Sequence, residues 1–446
     1  MSAQPKEQDA DHEEKTRKQL EKKMEGALKT MAKSDPWVNV ELARRRISGL
    51  MPPTIIVKGR PIPNSAVQVY YKCDHMRRTG AYKERGGLNA LMCLSKEVAK
   101  RGVIAASAGN HAQALAFHGS QLGVGVTVVM PRSAPMVKVQ SCRSFGANVV
   151  LFGSNFSESK KEAERLAKEK GYLYINGYDH PDIISGAGTC GLEIVDQVPD
   201  VDVVVVPTGG GGLIAGVALA IKRLKPHVKI IGVESEVCPN ISQAIETNER
   251  VSTPLRAGNT LADGLAVEQV GENAFELIKE YVDKVITVPE SYIARAILHM
   301  LEVEKMLVEG AGATGVAGII SGRLDADLVG KKVVTIITGG NIDITVLGRV
   351  IDLGLKASGR LHTFDVAILN SVGSLSHMID ALAKTGASVK TISQETPRVY
   401  DVFQLNVHLE VETINEEHWQ RVVKQMSAAG YKLNEYELRE TQPAKM

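Results

Sequence analysis

Within TGAYKERGGLNAL, Thr79 to Leu91, a single lysine, Lys83, stands between a tyrosine and a glutamate and is followed by Arg85-Gly86-Gly87. Two uses are open to it. Most lysines are solvated surface charges, but a lysine amine can also form a Schiff base with a carbonyl compound. Residue type alone favours the surface charge, so the decision rests on what else the chain brings to the same place.

In VDVVVVPTGGGGLIAG, Val201 to Gly216, an apolar run meets four consecutive glycines, Gly209 to Gly212, and then a helical pattern. Glycines let successive backbone N–H groups converge on an anion, and a helix N-terminus adds a favourable dipole. One or two glycines would serve a plain turn; four favour a phosphate cradle. Gly210-x-Gly212-x-x-Ala215, with Glu234 closing the next strand, also fits a relaxed dinucleotide fingerprint, so a dinucleotide-dependent oxidoreductase stays open here. A second small-residue turn, Ser107-Ala108-Gly109-Asn110-His111, has the form of a carboxylate cradle, with helix capping as the alternative for Asn110 and His111. A third, Thr338 followed by two glycines, places a hydroxyl where it could meet a ring nitrogen or close a turn. EGAGATGVAG, Glu309 to Gly318, allows close backbone approach to a ligand or to a sheet.

The elements that must position these groups are legible as alternation. GVIAAS, VGVTVVMP, ANVVLFG, DVVVVP, VKIIGVES and KKVVTIITGG are short β-branched runs separated by helical patterns. That order predicts βαβ units in two doubly wound α/β sheets, in two clusters divided around Gly171 to Gly188, with strand C-terminal ends facing a common cleft. After about Gly359 the pattern changes. TFDVAIL, a helix carrying Leu375, Met378, Ile379 and Leu382 on one face, ASVKTISQ, VFQLNVHLEVE, a helix carrying Trp419, Val422, Val423 and Met426, and YKLNE spell βαββαβ, a ferredoxin-like module.

With 446 residues the chain exceeds the ~250–300 at which one core stops growing. A net charge of +2 gives no reason to expect a nucleic-acid partner, and no apolar run suggests a membrane span. Five scattered cysteines without a CxxC fit a reducing, cytoplasmic setting and offer no structural metal site. Residues 1–34, rich in both charge signs and lacking an apolar segment, read as an extension rather than a secretory signal, with a contact helix through Leu20, Met24 and Leu28 as the alternative.

A phosphate cradle, a carboxylate cradle, a ring-nitrogen partner and an amine at one cleft describe a site for pyridoxal phosphate and an amino acid. TGAYKERGGLNAL, SAGNHAQALA, TGGGGLIAG, TLADGLAV and ITGGNID, in this order, resemble the motifs of the fold-type II (tryptophan-synthase-β-like) pyridoxal-phosphate enzymes, and within them the threonine/serine dehydratases, over roughly residues 35 to 355. The C-terminal segment resembles an ACT regulatory module. The resemblance implies a catalytic unit over 35–357, with a smaller subdomain nested at about 85–178, and a regulatory unit over 361–446. It implies Lys83 as the lysine that carries the cofactor and Tyr82 as the aromatic on its ring. It assigns Asn110 to the cofactor's 3′ oxygen, Gly209, Gly210, Gly211, Gly212 and Leu213 to its phosphate, Thr338 to its ring nitrogen, and Ser107, Ala108, Gly109, Asn110 and His111 to the substrate carboxylate. The activity implied is deamination of L-threonine, and also of L-serine; serine racemisation or another fold-type II lyase activity is the alternative. Racemases of this family carry a serine where Ala108 stands, and a methyl group cannot deliver a proton. They also bind a divalent cation near the position of Glu234, where this chain offers Asn240. At the start of the second ferredoxin-like element, Asn370, Ser371, Val372, Gly373 and Leu375 form a turn suited to an effector carboxylate, in a homodimer or homotetramer.

Overall fold

A computed structural model describes residues 35–62, 66–253, 260–395 and 403–436; the expectations for residues 1–34 lie outside this range. The chain begins with β1 (Ile56–Lys58) and β2 (Gln68–Lys72), then builds β3 (Val103–Ala106), β4 (Val126–Met130), β5 (Asn148–Leu151) and β6 (Leu173–Tyr174). It continues with β7 (Val203–Pro207), β8 (Lys229–Ser235), β9 (Lys284–Val288) and β10 (Lys332–Ile336), and closes with β11 (Leu361–Leu369), β12 (Ser388–Glu395), β13 (Gln404–Glu412) and β14 (Leu433–Glu435).

Three sheets result. The largest has the order β1-β2-β10-β7-β8-β9 and is parallel except for the antiparallel edge pair β1 and β2. The second, β5-β4-β3-β6, is parallel throughout. β1 and β2 precede the smaller sheet in sequence but join the larger one, so the smaller unit is an insertion. Neither is among the β-branched runs that the alternation picks out, the first of which is GVIAAS.

The all-valine centre of β7 follows from its position. Val203 and Val205 lie in the apolar core on one face of the large sheet, Val204 and Val206 in the core on the other. A strand covered on both faces has no polar side, which is why alternation is absent. The helix Gly310–Ile320 lies against this sheet through its small residues: a Cβ on Gly312 would stand 2.4 Å from the Gly339 oxygen. The close approach expected for that segment is therefore made to the sheet and its strand-end loop.

The last four strands form an antiparallel sheet of order β12-β13-β11-β14, with helices Ser374–Ala383 and Glu416–Ala428 in the βαββαβ order. Its core contains Met378, Leu382, Trp419, Val422 and Met426, with Ile379 and Val423 partly buried against them. The helix Ile344–Ala357 runs from the large sheet to this unit. Ion pairs Lys356–Glu410, Lys390–Asp352 and Arg360–Glu302 join the two.

Candidate active site

Lys83 opens the helix Lys83–Met92, and backbone pairing with the end of β10 sets its place. His75 N–H donates to the Ile337 oxygen at 2.9 Å, Tyr82 N–H to the Thr338 oxygen at 2.9 Å, and Gly340 N–H to the Gly80 oxygen at 2.9 Å. The two residues after Lys83 are buried and engaged elsewhere. Glu84 accepts from Thr79 N–H and, at 3.1 Å, from His118 Nε2. Arg85 is fully buried, with Nε 2.6 Å from Asp74 Oδ2 and Nη1 2.6 Å from Glu193 Oε1, and Lys72 joins Glu193 at 2.6 Å. Burial alone would raise the Asp74 carboxyl, yet the Arg85 guanidinium, with Arg77 and Lys72, holds it well below the usual carboxylate range. Lys83 is the member of this trio turned to the cleft. Its Nζ donates to the Gly177 oxygen at 2.6 Å and lies 5.1 Å from the Tyr82 ring centroid.

The residue after Gly177, Tyr178, packs against the glycine loop. A Cβ on Gly212 would stand 2.1 Å from the Tyr178 oxygen, a backbone atom that cannot yield, and Gly211 sits at φ +93°, a left-handed conformation. Gly209 to Leu213 are buried, yet among the described residues their five amide N–H groups have no protein acceptor. A buried run of open donors at a helix N-terminus is costly unless an anion fills it. The residues present therefore fit the phosphate of pyridoxal phosphate.

The turn after β3 is partly engaged. Ser107 N–H donates to the Val129 oxygen at 3.1 Å and Gly109 N–H to Ser107 Oγ at 3.2 Å, which leaves the amides of Ala108, Asn110 and His111 without an acceptor among the described residues. The His111 ring is buried away from this task. Its Nε2 lies 3.1 Å from the Ile175 oxygen, and burial, then the Lys83 charge, push the imidazole down to about 3, so it stays neutral. The Thr338 side chain is buried and its hydroxyl makes no hydrogen bond among the described residues.

Two site residues escaped the sequence reading. Glu309 Oε1 accepts from Asn110 Nδ2 at 2.7 Å, and Asn341 Nδ2 donates to Asn110 Oδ1 at 2.8 Å and to the Thr79 oxygen at 2.7 Å. Burial, then the Asp263 charge, push the Glu309 carboxyl up to about 7 against the pull of Asn110 and Lys138. The available signals were an acid directly before a small-residue helix and an asparagine directly after Gly339-Gly340.

Glu234 does not serve a ribose. It is buried, and its oxygens accept from the Ile241 and Ser242 N–H groups and from Ser242 Oγ. With Glu234 held by the following helix, the dinucleotide reading loses its second element. Asn240 Nδ2 donates to the Val267 oxygen, and among the described residues no three His, Cys, Asp or Glu side chains gather as a metal site. No helix among them is long and apolar enough to cross a membrane.

An amine at a helix start, an anion loop and a buried hydroxyl set between two α/β sheets fit the pyridoxal-phosphate enzymes of fold type II. The family of pyridoxal-phosphate dependent enzymes matches residues 47–339, and the chain belongs to that family. It is similar to the L-threonine ammonia-lyase of Thermotoga maritima, 41% identical over 369 residues, which cover 82% of this chain and 90% of that protein. Among solved structures it resembles the processed form of threonine deaminase isoform 2 from Solanum lycopersicum, with TM-score 0.62 and 37% identity over 65% of this chain and 79% of the other. It also resembles the serine racemase of Dictyostelium discoideum, with TM-score 0.65 and 32% identity over 69% of this chain and 99% of that one.

Proposed function

We propose that this enzyme deaminates L-threonine to 2-oxobutyrate and ammonia, and L-serine to pyruvate and ammonia. The observation that carries the reading is the juxtaposition, through Gly177 and Tyr178, of the Lys83 amine with five open N–H groups of the glycine loop. The names of its relatives favour threonine among amino-acid substrates.

Bound pyridoxal phosphate supplies an electron sink for negative charge developing at the substrate Cα. The chain's residues do the rest. The loop from Gly209 to Leu213 would hold the phosphate, Lys83 would carry the cofactor, and Tyr82 would cover its ring. The amides of Ala108, Asn110 and His111 hold the substrate carboxylate. The Lys83 amine removes the Cα proton as general base. The Thr338 hydroxyl would be a neutral partner for the ring nitrogen, and the β-hydroxyl leaves as water, which takes up the equivalent of the proton removed from Cα. The released enamine hydrolyses to the 2-oxo acid and ammonia. Ala108 argues for elimination over racemisation, since its methyl group offers no proton to the opposite face of Cα. The test is the visible spectrum of the purified protein before and after borohydride, followed by assay of 2-oxo acid and ammonia from L-threonine and L-serine. A visible, borohydride-sensitive band with 2-oxobutyrate release is expected; a protein lacking the band or releasing no 2-oxo acid overturns the reading.

The unit from Leu361 onward is, in this reading, an ACT-like regulatory module of a cytoplasmic homodimer or homotetramer. Its sheet order, and the absence of any cleft residue among its described residues, support a role outside catalysis. In the effector turn Asn370 N–H donates to the Phe403 oxygen and Ser371 N–H to the Leu369 oxygen. An effector carboxylate would therefore be held by Val372, Gly373 and Leu375 at the start of the helix Ser374–Ala383.

A further inference from the structure

The Asn110 amide is constrained from two sides. Its oxygen accepts from Asn341 Nδ2 at 2.8 Å, and its nitrogen donates to Glu309 Oε1 at 2.7 Å. Rotating the amide by half a turn would set its nitrogen against the Asn341 nitrogen and its oxygen against the Glu309 carboxylate, two repulsive contacts in a partly buried place. The second N–H of Asn110 has no acceptor among the described residues, so Asn110 meets the reacting centre as a donor. Glu309 also grips the loop that carries Thr338. Its backbone N–H donates to the Gly339 oxygen at 3.1 Å, and its Oε1 lies 2.2 Å from where a Cβ on Gly339 would stand. Asn110 follows the smaller sheet and Gly339 the larger, so one carboxylate joins the two halves at the cleft floor.

We infer that Glu309 is a positioning residue for the reaction: through Asn110 and Gly339 it aims an Asn110 N–H at the cofactor ring and holds the Thr338 loop beside it. This rests on the functional reading above. The ionised form is the effective one, because a carboxylate accepts a stronger, charge-assisted bond than a neutral acid does. The charges facing it are Asp263 in the Asp263–Leu265 turn and Lys138 on the helix Met136–Ser144, themselves paired at 2.9 Å, with Asp343 beside Lys138. Since the Glu309 carboxyl sits at about 7, the ionised fraction falls as pH drops through neutrality. Activity should fall in the same direction.

The test compares holoenzyme with Glu309→Gln and Glu309→Ala, reading the visible band from pH 6 to 9, the cofactor Kd of the stripped protein, and kcat and KM. Glu309→Gln is expected to lose the acid limb near pH 7 from both the band and kcat. Glu309→Ala is expected to lower kcat about 100-fold, the scale of a small misplacement in an active site, with KM changed less than threefold. Should Glu309→Ala fail to fold, Glu309→Gln alone decides. A Gln variant with the wild-type band, Kd and pH profile overturns the inference. A wild-type protein with no visible band would instead overturn the functional reading, which keeps the two failures distinct.

Discussion

The Lys83 amine donates to the carbonyl oxygen of Gly177 at 2.6 Å. The next carbonyl along the chain, that of Tyr178, abuts Gly212 in the anion loop. One dipeptide thus sets the distance between the amine and the donors of the glycine loop, although Lys83 and Gly212 come from different elements.

Lys83→Ala should abolish the visible cofactor band and the deaminase activity together. Loss of a general base alone costs about 10²–10⁴ in rate, and here the covalent attachment is lost as well. Absorption spectra and a 2-oxo acid assay check this; a variant keeping band and turnover would refute the role of Lys83.

Gly212→Ala should weaken cofactor binding, because its methyl group would meet the Tyr178 oxygen and push the loop amides off target. A tenfold or greater rise in cofactor Kd is expected, equivalent to about 1.4 kcal/mol or more, read by equilibrium dialysis of the stripped protein. Gly49→Ala is the control, since a Cβ there meets nothing within 4 Å, and it should leave Kd unchanged.

Arg85→Ala should be strongly destabilising, on the order of 3–5 kcal/mol, because it leaves Asp74 and Glu193 buried without their main partner. The pH dependence has a defined sign. The Asp74 carboxyl is depressed in the folded state, so its contribution is fully present above the ordinary value of 3.8 and lost as pH falls below it. Urea unfolding between pH 3 and 7 should show a steep acid loss in the wild type and a flatter one in Arg85→Ala.

Truncation after Gly359 should preserve basal turnover and abolish any response to amino-acid effectors. The pairs it removes, Lys356–Glu410, Lys390–Asp352 and Arg360–Glu302, are partly exposed, and such pairs contribute about 0–1 kcal/mol each. Titration of isoleucine and valine against full-length and truncated enzyme reads the outcome. Identical responses, or none in the full-length form, would leave the module an assembly role only.

What the sequence determined by itself was local. A valine run covered on both faces, four glycines opening a helix and a Thr-Gly-Gly strand end are statements about backbone conformation, and backbone conformation is encoded within a few residues. Lys83 was legible because those features surround it in order. Partnership was not legible. Glu309 and Asn110 stand 199 positions apart, and nothing near either residue says that they meet. Glu234 was a candidate for a ligand until the next helix supplied it with three donors. Asn370 and Ser371 were candidate donors until Phe403 and Leu369 supplied acceptors. A buried polar group must be satisfied by whatever tertiary packing brings within about 3 Å, so which polar residues remain free for chemistry is decided only when the sheets and helices close around them.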